Sequence, residues 1–190
     1  MDEIRRCNGM LLIGSDGRNS GKTELACSIL RHFAPHHPVT AVKITTIHSN
    51  AGCPRGKRGC GVCGEMGDSF RILAETSGGG EKDTMRLHDS GANPVLWLQT
   101  RYSALPRALE ALISRIPRDG LWLCESNSIR RFAKPDVFLL VCKTGRVSMK
   151  PSASAVMGYA DRIVRSTGER FDFTPDMLTI EKGIWVFCDP

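Results

Sequence analysis

The chain has 190 residues, 41% of them hydrophobic and 24% charged, and its 26 Lys plus Arg against 20 Asp plus Glu leave a formal net charge of +6. That length suits one domain with room for an insertion, and that composition excludes a disordered or fibrous chain. No apolar run approaches the ~20 residues of a membrane-spanning helix, and Met1–Arg6 carries no secretory stretch, so the expectation is a cytoplasmic protein with an anionic partner and no membrane partner.

Strand and helix patterns alternate along the chain. Met10-Leu11-Leu12-Ile13 is a short apolar run ending at Gly14, which reads as a buried strand. A helix is expected from Lys22 to about Phe33, because Leu25, Ile29 and Phe33 recur every four residues and Pro35 and Pro38 follow. The β-branched run from Val39 to Thr45 reads as the next strand. Residues about 48–67 break the rhythm with many glycines, three cysteines and little apolar content, so they read as an insertion in a single domain. Short helices are expected over Asp68–Glu75 and Asp83–Asp89, and a strand over Val95–Gln99. Ser103 reads as the cap of a helix ending near Arg115, with Leu105, Leu109, Leu112 and Ile116 as its apolar face. Leu121–Cys124 and Val137–Cys142 read as buried strands, and Arg162–Val164 and Ile184–Phe187 as short terminal ones. This alternation implies an α/β fold, with a mainly parallel sheet flanked by helices.

The strongest motif is Gly14-Ser15-Asp16-Gly17-Arg18-Asn19-Ser20-Gly21-Lys22-Thr23, which leaves a strand and opens a helix. This is the setting of a P-loop, and it makes the fold a P-loop NTPase type. In that reading Gly17, Asn19, Ser20, Gly21, Lys22 and Thr23 hold a nucleotide. Glycines let backbone N–H groups turn onto phosphate, Lys22 reaches the β- and γ-phosphates, and the Thr23 hydroxyl binds Mg²⁺. The pattern departs at its first glycine, where Asp16 stands, so a modified bend is expected. Glu125, at the end of an apolar run, and Asp83 are the candidate acids that complete the catalytic set with Lys22.

The eight cysteines divide unevenly. Cys124 and Cys142 sit inside apolar runs and read as core. Cys53, Cys60 and Cys63 fall close together, with His48 five residues before the first, and Cys₃His is a standard zinc set. An iron–sulfur cluster, a Cys60–Cys63 redox pair and an unliganded loop are the alternatives.

Three stretches resemble the B proteins of molybdopterin-guanine dinucleotide biosynthesis, a family of GTP-binding P-loop proteins. They are Gly-Arg-Asn-Ser-Gly-Lys-Thr at 17–23, the strand Val39 to Lys43 with His48 downstream, and Lys82-Asp83-Thr84-Met85-Arg86-Leu87-His88-Asp89-Ser90-Gly91-Ala92 before an apolar strand. Glu125 matches the acid of the family's Glu-Gly segment, with Ser126 in place of the glycine. The cysteine insertion is not part of the family pattern. The resemblance implies binding of GTP or ATP with Mg²⁺, weak hydrolysis, a homodimer, and a partner enzyme that assembles the molybdenum cofactor.

From Arg101 to Lys150 there are ten basic and four acidic residues, an excess equal to the whole net charge. Arg130, Arg131 and Lys134 are the basic residues expected to face phosphate or a partner, and Lys143-Thr144-Gly145 to face the base. Two other functions compete: a small-molecule kinase or ligase whose acceptor lies on 126–134, and a metal-binding adapter switched by nucleotide. Nucleic acid is disfavoured, because the basic residues lack interleaved aromatics.

Overall fold

A computed structural model describes residues 4–48, 69–76, 80 and 82–188, so that Cys53, Cys60 and Cys63 lie outside the described residues. The chain opens with β1 (Arg5–Arg6), β2 (Met10–Ser15), α1 (Lys22–Phe33) and β3 (Val39–Ile47). It continues through β4 (Phe70–Glu75), α2 (Asp83–Asp89), β5 (Val95–Arg101), α3 (Leu105–Ile113) and β6 (Leu121–Glu125). The last third holds β7 (Ala133–Lys134), β8 (Val137–Lys143), α4 (Pro151–Ser154), β9 (Arg162–Ser166), β10 (Leu178–Glu181) and β11 (Ile184–Phe187).

Among the described residues, seven strands form one sheet in the order β4-β5-β3-β6-β2-β8-β9. Every neighbouring pair is parallel except β4 and β5. The protein is therefore α/β with a mostly parallel sheet flanked by helices. Strand β2 is buried along its whole length because both faces of the sheet are covered. Leu11 and Ile13 meet Leu25, Ile29 and Phe33 of α1 on one face. Met10 and Leu12 meet Leu105, Leu109 and Leu112 of α3 on the other. The hairpin of β10 and β11 closes the first core: Trp185 packs edge-on against Phe33, with ring centroids 4.9 Å apart, and donates from Nε1 to the Gly9 carbonyl at 2.9 Å. Among the described residues, no helix is long and apolar enough to cross a membrane.

Two local expectations are corrected. The short helix expected over Asp68–Glu75 is a strand over Phe70–Glu75, antiparallel to β5 at the sheet edge. Phe70 and Ile72 pack against the second core, whereas Leu73 is 42% exposed. That alternation belongs to a half-covered edge strand. Ser103 does not cap α3: a 3₁₀ turn over Tyr102–Ala104 leads into the helix, Ala104 takes the cap position, and the helix ends at Ile113.

Candidate functional site

The crossover from β2 leads to β3 on one side, while the chain after β6 crosses to β8 on the other. Divergent connections of this kind open a crevice at the carboxyl ends of parallel strands. The register sets three residues side by side there, with Ile13 opposite Glu125 and Glu125 opposite Lys43.

Loop 14–23 emerges into this crevice. Its start is tied down on both sides. Asn127 Oδ1 accepts from the Ser15 amide and its Nδ2 donates to the Ser15 carbonyl, both at 2.8 Å. The Asp16 amide donates to the Val141 carbonyl at 2.9 Å. The loop then turns through Asn19 in the left-handed region at φ 54°, which asparagine tolerates. Gly21 follows at φ 89°, and a Cβ there would come within 2.9 Å of the Phe171 ring, so the position requires glycine twice over. Among the described residues, the amides of Gly17, Arg18, Asn19 and Gly21 donate to no partner. Together with the first turn of the twelve-residue helix α1 they form a set of donors suited to an anion.

Asp16 is 3% exposed. One carboxylate oxygen accepts from the Ser20 hydroxyl. The other accepts from the Lys143 amide at 2.9 Å and pairs with Arg146 Nε at 3.2 Å. Its carbonyl accepts from the Lys150 amide at 2.8 Å. Arg146 in turn donates from Nη2 to the Arg18 carbonyl at 2.6 Å. Where the pattern has glycine, this chain ties the loop to the segment after β8.

Lys22 Nζ lies 3.2 Å from Glu125 Oε2, and Glu125 is fully buried. Burial alone would push the Glu125 carboxyl up. The charges of Lys22 and Lys43, with hydrogen bonds from Thr23 and Lys22, outweigh it and hold the pKa below its ordinary value. Glu125 Oε1 has no hydrogen-bond donor among the described residues. A buried, ionised carboxylate oxygen without a donor, beside the Thr23 hydroxyl, fits the oxygen-rich environment of a Mg²⁺ ion. Next to this pair, Lys43 bonds to Asp83, and Arg86 to Glu24.

These groups line one open cleft of about 740 Å³. All the residues expected at the nucleotide and among the catalytic acids, except the buried Glu125 beneath it, lie on its wall. His48 is also there, its Nε2 3.2 Å from Ser128 Oγ and its ring stacked on Tyr102 at 5.0 Å. The cysteines expected to join it lie outside the described residues. The basic residues of 130–134 do not line the cleft. Arg130 is buried, bonds to the Ala133 carbonyl at 3.4 Å and lies over the Tyr159 ring, while Lys134 pairs with Arg6 in the β1–β7 ladder. Nor do Lys143, Thr144 and Gly145 line it. The cations on the wall besides Lys22 are Arg18, Lys43, Arg86 and Lys150. Sequence reasoning did not single out Asn127 or Lys150: neither belongs to a motif, and only the topology brings them to the loop.

Compared with known proteins, the chain matches no family model, no curated protein and no solved structure.

Proposed function

We propose that the protein is a P-loop nucleotide-binding protein that takes GTP or ATP with Mg²⁺ and hydrolyses it slowly. The observation that carries this reading is the juxtaposition of a loop with free amides at the start of α1 and a buried Lys22–Glu125 pair on the adjacent strand. Glu125 satisfies Lys22 as long as no stronger anion is near. A triphosphate offers the ammonium more negative charge, so Lys22 turns to the phosphates and frees Glu125 Oε2. Thr23 and Glu125 are the residues that would hold Mg²⁺, which when bound neutralises charge on the β- and γ-oxygens. The amides of 17–21 and Lys22 then bind and orient the triphosphate; water bonds to the terminal phosphorus as the β–γ bridging P–O bond breaks, releasing inorganic phosphate and the nucleoside diphosphate.

The resemblance of 17–23, 39–43, 82–92 and Glu125 to the molybdopterin-guanine dinucleotide B family extends this proposal to assistance in molybdenum-cofactor assembly, with a homodimer and a cofactor-assembly enzyme as partners. Zinc on Cys53, Cys60, Cys63 and His48 remains part of the proposal. A second reading, phosphoryl transfer to a small molecule, is favoured by the extension of the cleft past the loop to Lys43, His48 and Ser128. Formation of a phosphorylated acceptor rather than free phosphate would separate the two.

Calorimetric titration with MgATP and MgGTP tests the main reading. Wild-type protein binds one of them, and Lys22→Ala weakens that binding by about 100-fold or more. Equal affinity in the two proteins would sink it.

A further inference from the structure

We propose that the segment after β8 is a second wall of the phosphate site, in which Lys150 is a direct phosphate ligand beside Lys22 and Asp16 is the residue that positions it; this rests on the nucleotide reading above.

The segment is fastened to the loop across more than a hundred residues of chain. Asp16 holds the Lys143 amide and the Arg146 guanidinium through its side chain, and the Lys150 amide through its carbonyl. Asn127, which already grips Ser15, reaches the Ser152 hydroxyl at 3.4 Å. Position 150 is therefore fixed from the loop and from the end of β6. A buried carboxylate in an anion site would repel phosphate if its oxygens were free. Here they are turned onto Ser20, Lys143 and Arg146, so the acid serves as an anchor instead.

The cations of the cleft differ in what they already touch. Lys22, Lys43 and Arg86 each have a carboxylate. Lys150 lies open to the same cleft, and its ammonium has no hydrogen-bond or ion-pair partner among the described residues. Partial burial pulls its pKa below the ordinary lysine value. The charges of Lys22, then Arg18 and Arg146, act in the same direction, against a smaller opposing effect of Asp16. Of these charges Lys22 acts most strongly, in keeping with both lysines lining the same cleft. Lys150 has no ion-pair partner of its own among the described residues, so its charge is compensated by an anion of high charge brought to the cleft. A polyphosphate on the loop amides supplies it.

The test uses the full chain and the better-bound of MgATP and MgGTP, with calorimetry for affinity and thermal melting for folding. Lys150→Met weakens binding about tenfold or more, and Lys150→Arg restores it to within about threefold. Asp16→Asn also weakens binding, and most of its effect vanishes in the Lys150→Met background, because coupled residues are not additive. Wild-type affinity declines at alkaline pH as Lys150 loses its proton, and this decline is shallower with arginine at 150. Binding by the wild type and its loss in Lys22→Ala, with Lys150→Met unchanged, overturns this proposal alone. A wild type that binds neither nucleotide overturns the nucleotide reading and this proposal with it.

Discussion

Two recesses lie at opposite ends of the central strands, and both are basic. The cleft at the carboxyl ends of β2, β3 and β6 has about 740 Å³; the smaller one, at the amino ends of β2 and β6, has about 300 Å³ and is lined by Arg5, Arg6, Arg118 and Lys182. Their charges are held differently. In the smaller recess Arg5 faces Glu110 at 3.7 Å with both side chains more than half exposed, and Arg6 donates to Asn8 at 3.0 Å. Of its four left-handed residues, Gly9, Asp119, Lys182 and Gly183, the last two make the two-residue turn of the β10–β11 hairpin. The larger cleft has a buried carboxylate opposite a lysine and a loop of free amides. The lesson is that positive charge alone does not mark a binding site. Exposed pairs are worth little, whereas charges held in place beneath a cleft are set up for a ligand.

Substitutions at Lys22 and on the rim of the smaller recess tell the two sites apart. If charge count governed nucleotide binding, removing Arg6 and Arg118 would weaken it as much as removing Lys22. The expectation is a loss of about 100-fold or more for Lys22→Ala and no change for Arg6→Ser with Arg118→Ser, read by the same titration.

Glu125 gives the next effect. Glu125→Gln keeps the shape but removes the charge that would hold Mg²⁺, so single-turnover phosphate release should fall about 100-fold while nucleotide affinity changes far less. The same substitution has a pH signature. The folded pKa of Glu125 lies below its ordinary value of 4.5. Its ionisation therefore contributes stability that is fully present above that value and is lost as pH falls through the lower, folded one. Urea unfolding of the wild type below pH 4.5 should show a steeper loss of stability than that of Glu125→Gln. Parallel curves would mean that the carboxylate is not held in its charged form by Lys22 and Lys43.

A smaller effect concerns Gly17. A Cβ at this position would collide with the Arg146 guanidinium, the far end of a flexible side chain, and Gly17 is not in the left-handed region. Gly17→Ala should therefore fold with a stability change within about 1 kcal/mol. It should displace Arg146 from Asp16 and weaken nucleotide binding by about two- to tenfold. Binding equal to wild type would show that Arg146 does not help to shape the loop.

What the sequence made legible follows the same division. The run Met10–Ile13, the glycines and Lys22 are contiguous, and their chemistry depends on neighbours a few residues away, so strand, loop and helix were readable together. Glu125 was readable because an acid after four apolar residues has one place to go, the strand end. Arg-Ile-Leu-Ala-Glu at 71–75 was misread because these residues are good helix formers, and only pairing with β5 overrides that preference. Arg130 and Lys134 do not line the cleft, because closeness in sequence to Glu125 says nothing of which face they take. Arg130 is covered by the half-exposed Tyr159 ring, and Lys134 lies in β7 against β1. Lys150 was invisible for the opposite reason: its link to the loop runs through Asp16. The sequence shows at Asp16 only a departure from the pattern and a modified bend, whereas the residue is half of a contact whose other half lies after β8.

The smaller recess can be probed through a thiol. Cys7 borders it, yet is only 5% exposed, and burial pushes its thiol up to about 11, with the charge of Arg5 opposing. At pH 8 such a thiol is thiolate in about one molecule in a thousand, roughly 100-fold less than an ordinary cysteine. Cys188 is exposed. Alkylation with iodoacetamide at pH 8, followed by peptide mapping, should label Cys188 about 100-fold faster than Cys7. Comparable rates would mean that the amino-terminal recess opens in solution and exposes Cys7 to the reagent. Its basic rim would then have to be weighed as a ligand site on equal terms with the cleft above Glu125. Slow labelling leaves the recess closed, with Arg5 against Glu110 and Arg6 against Asn8 on its rim.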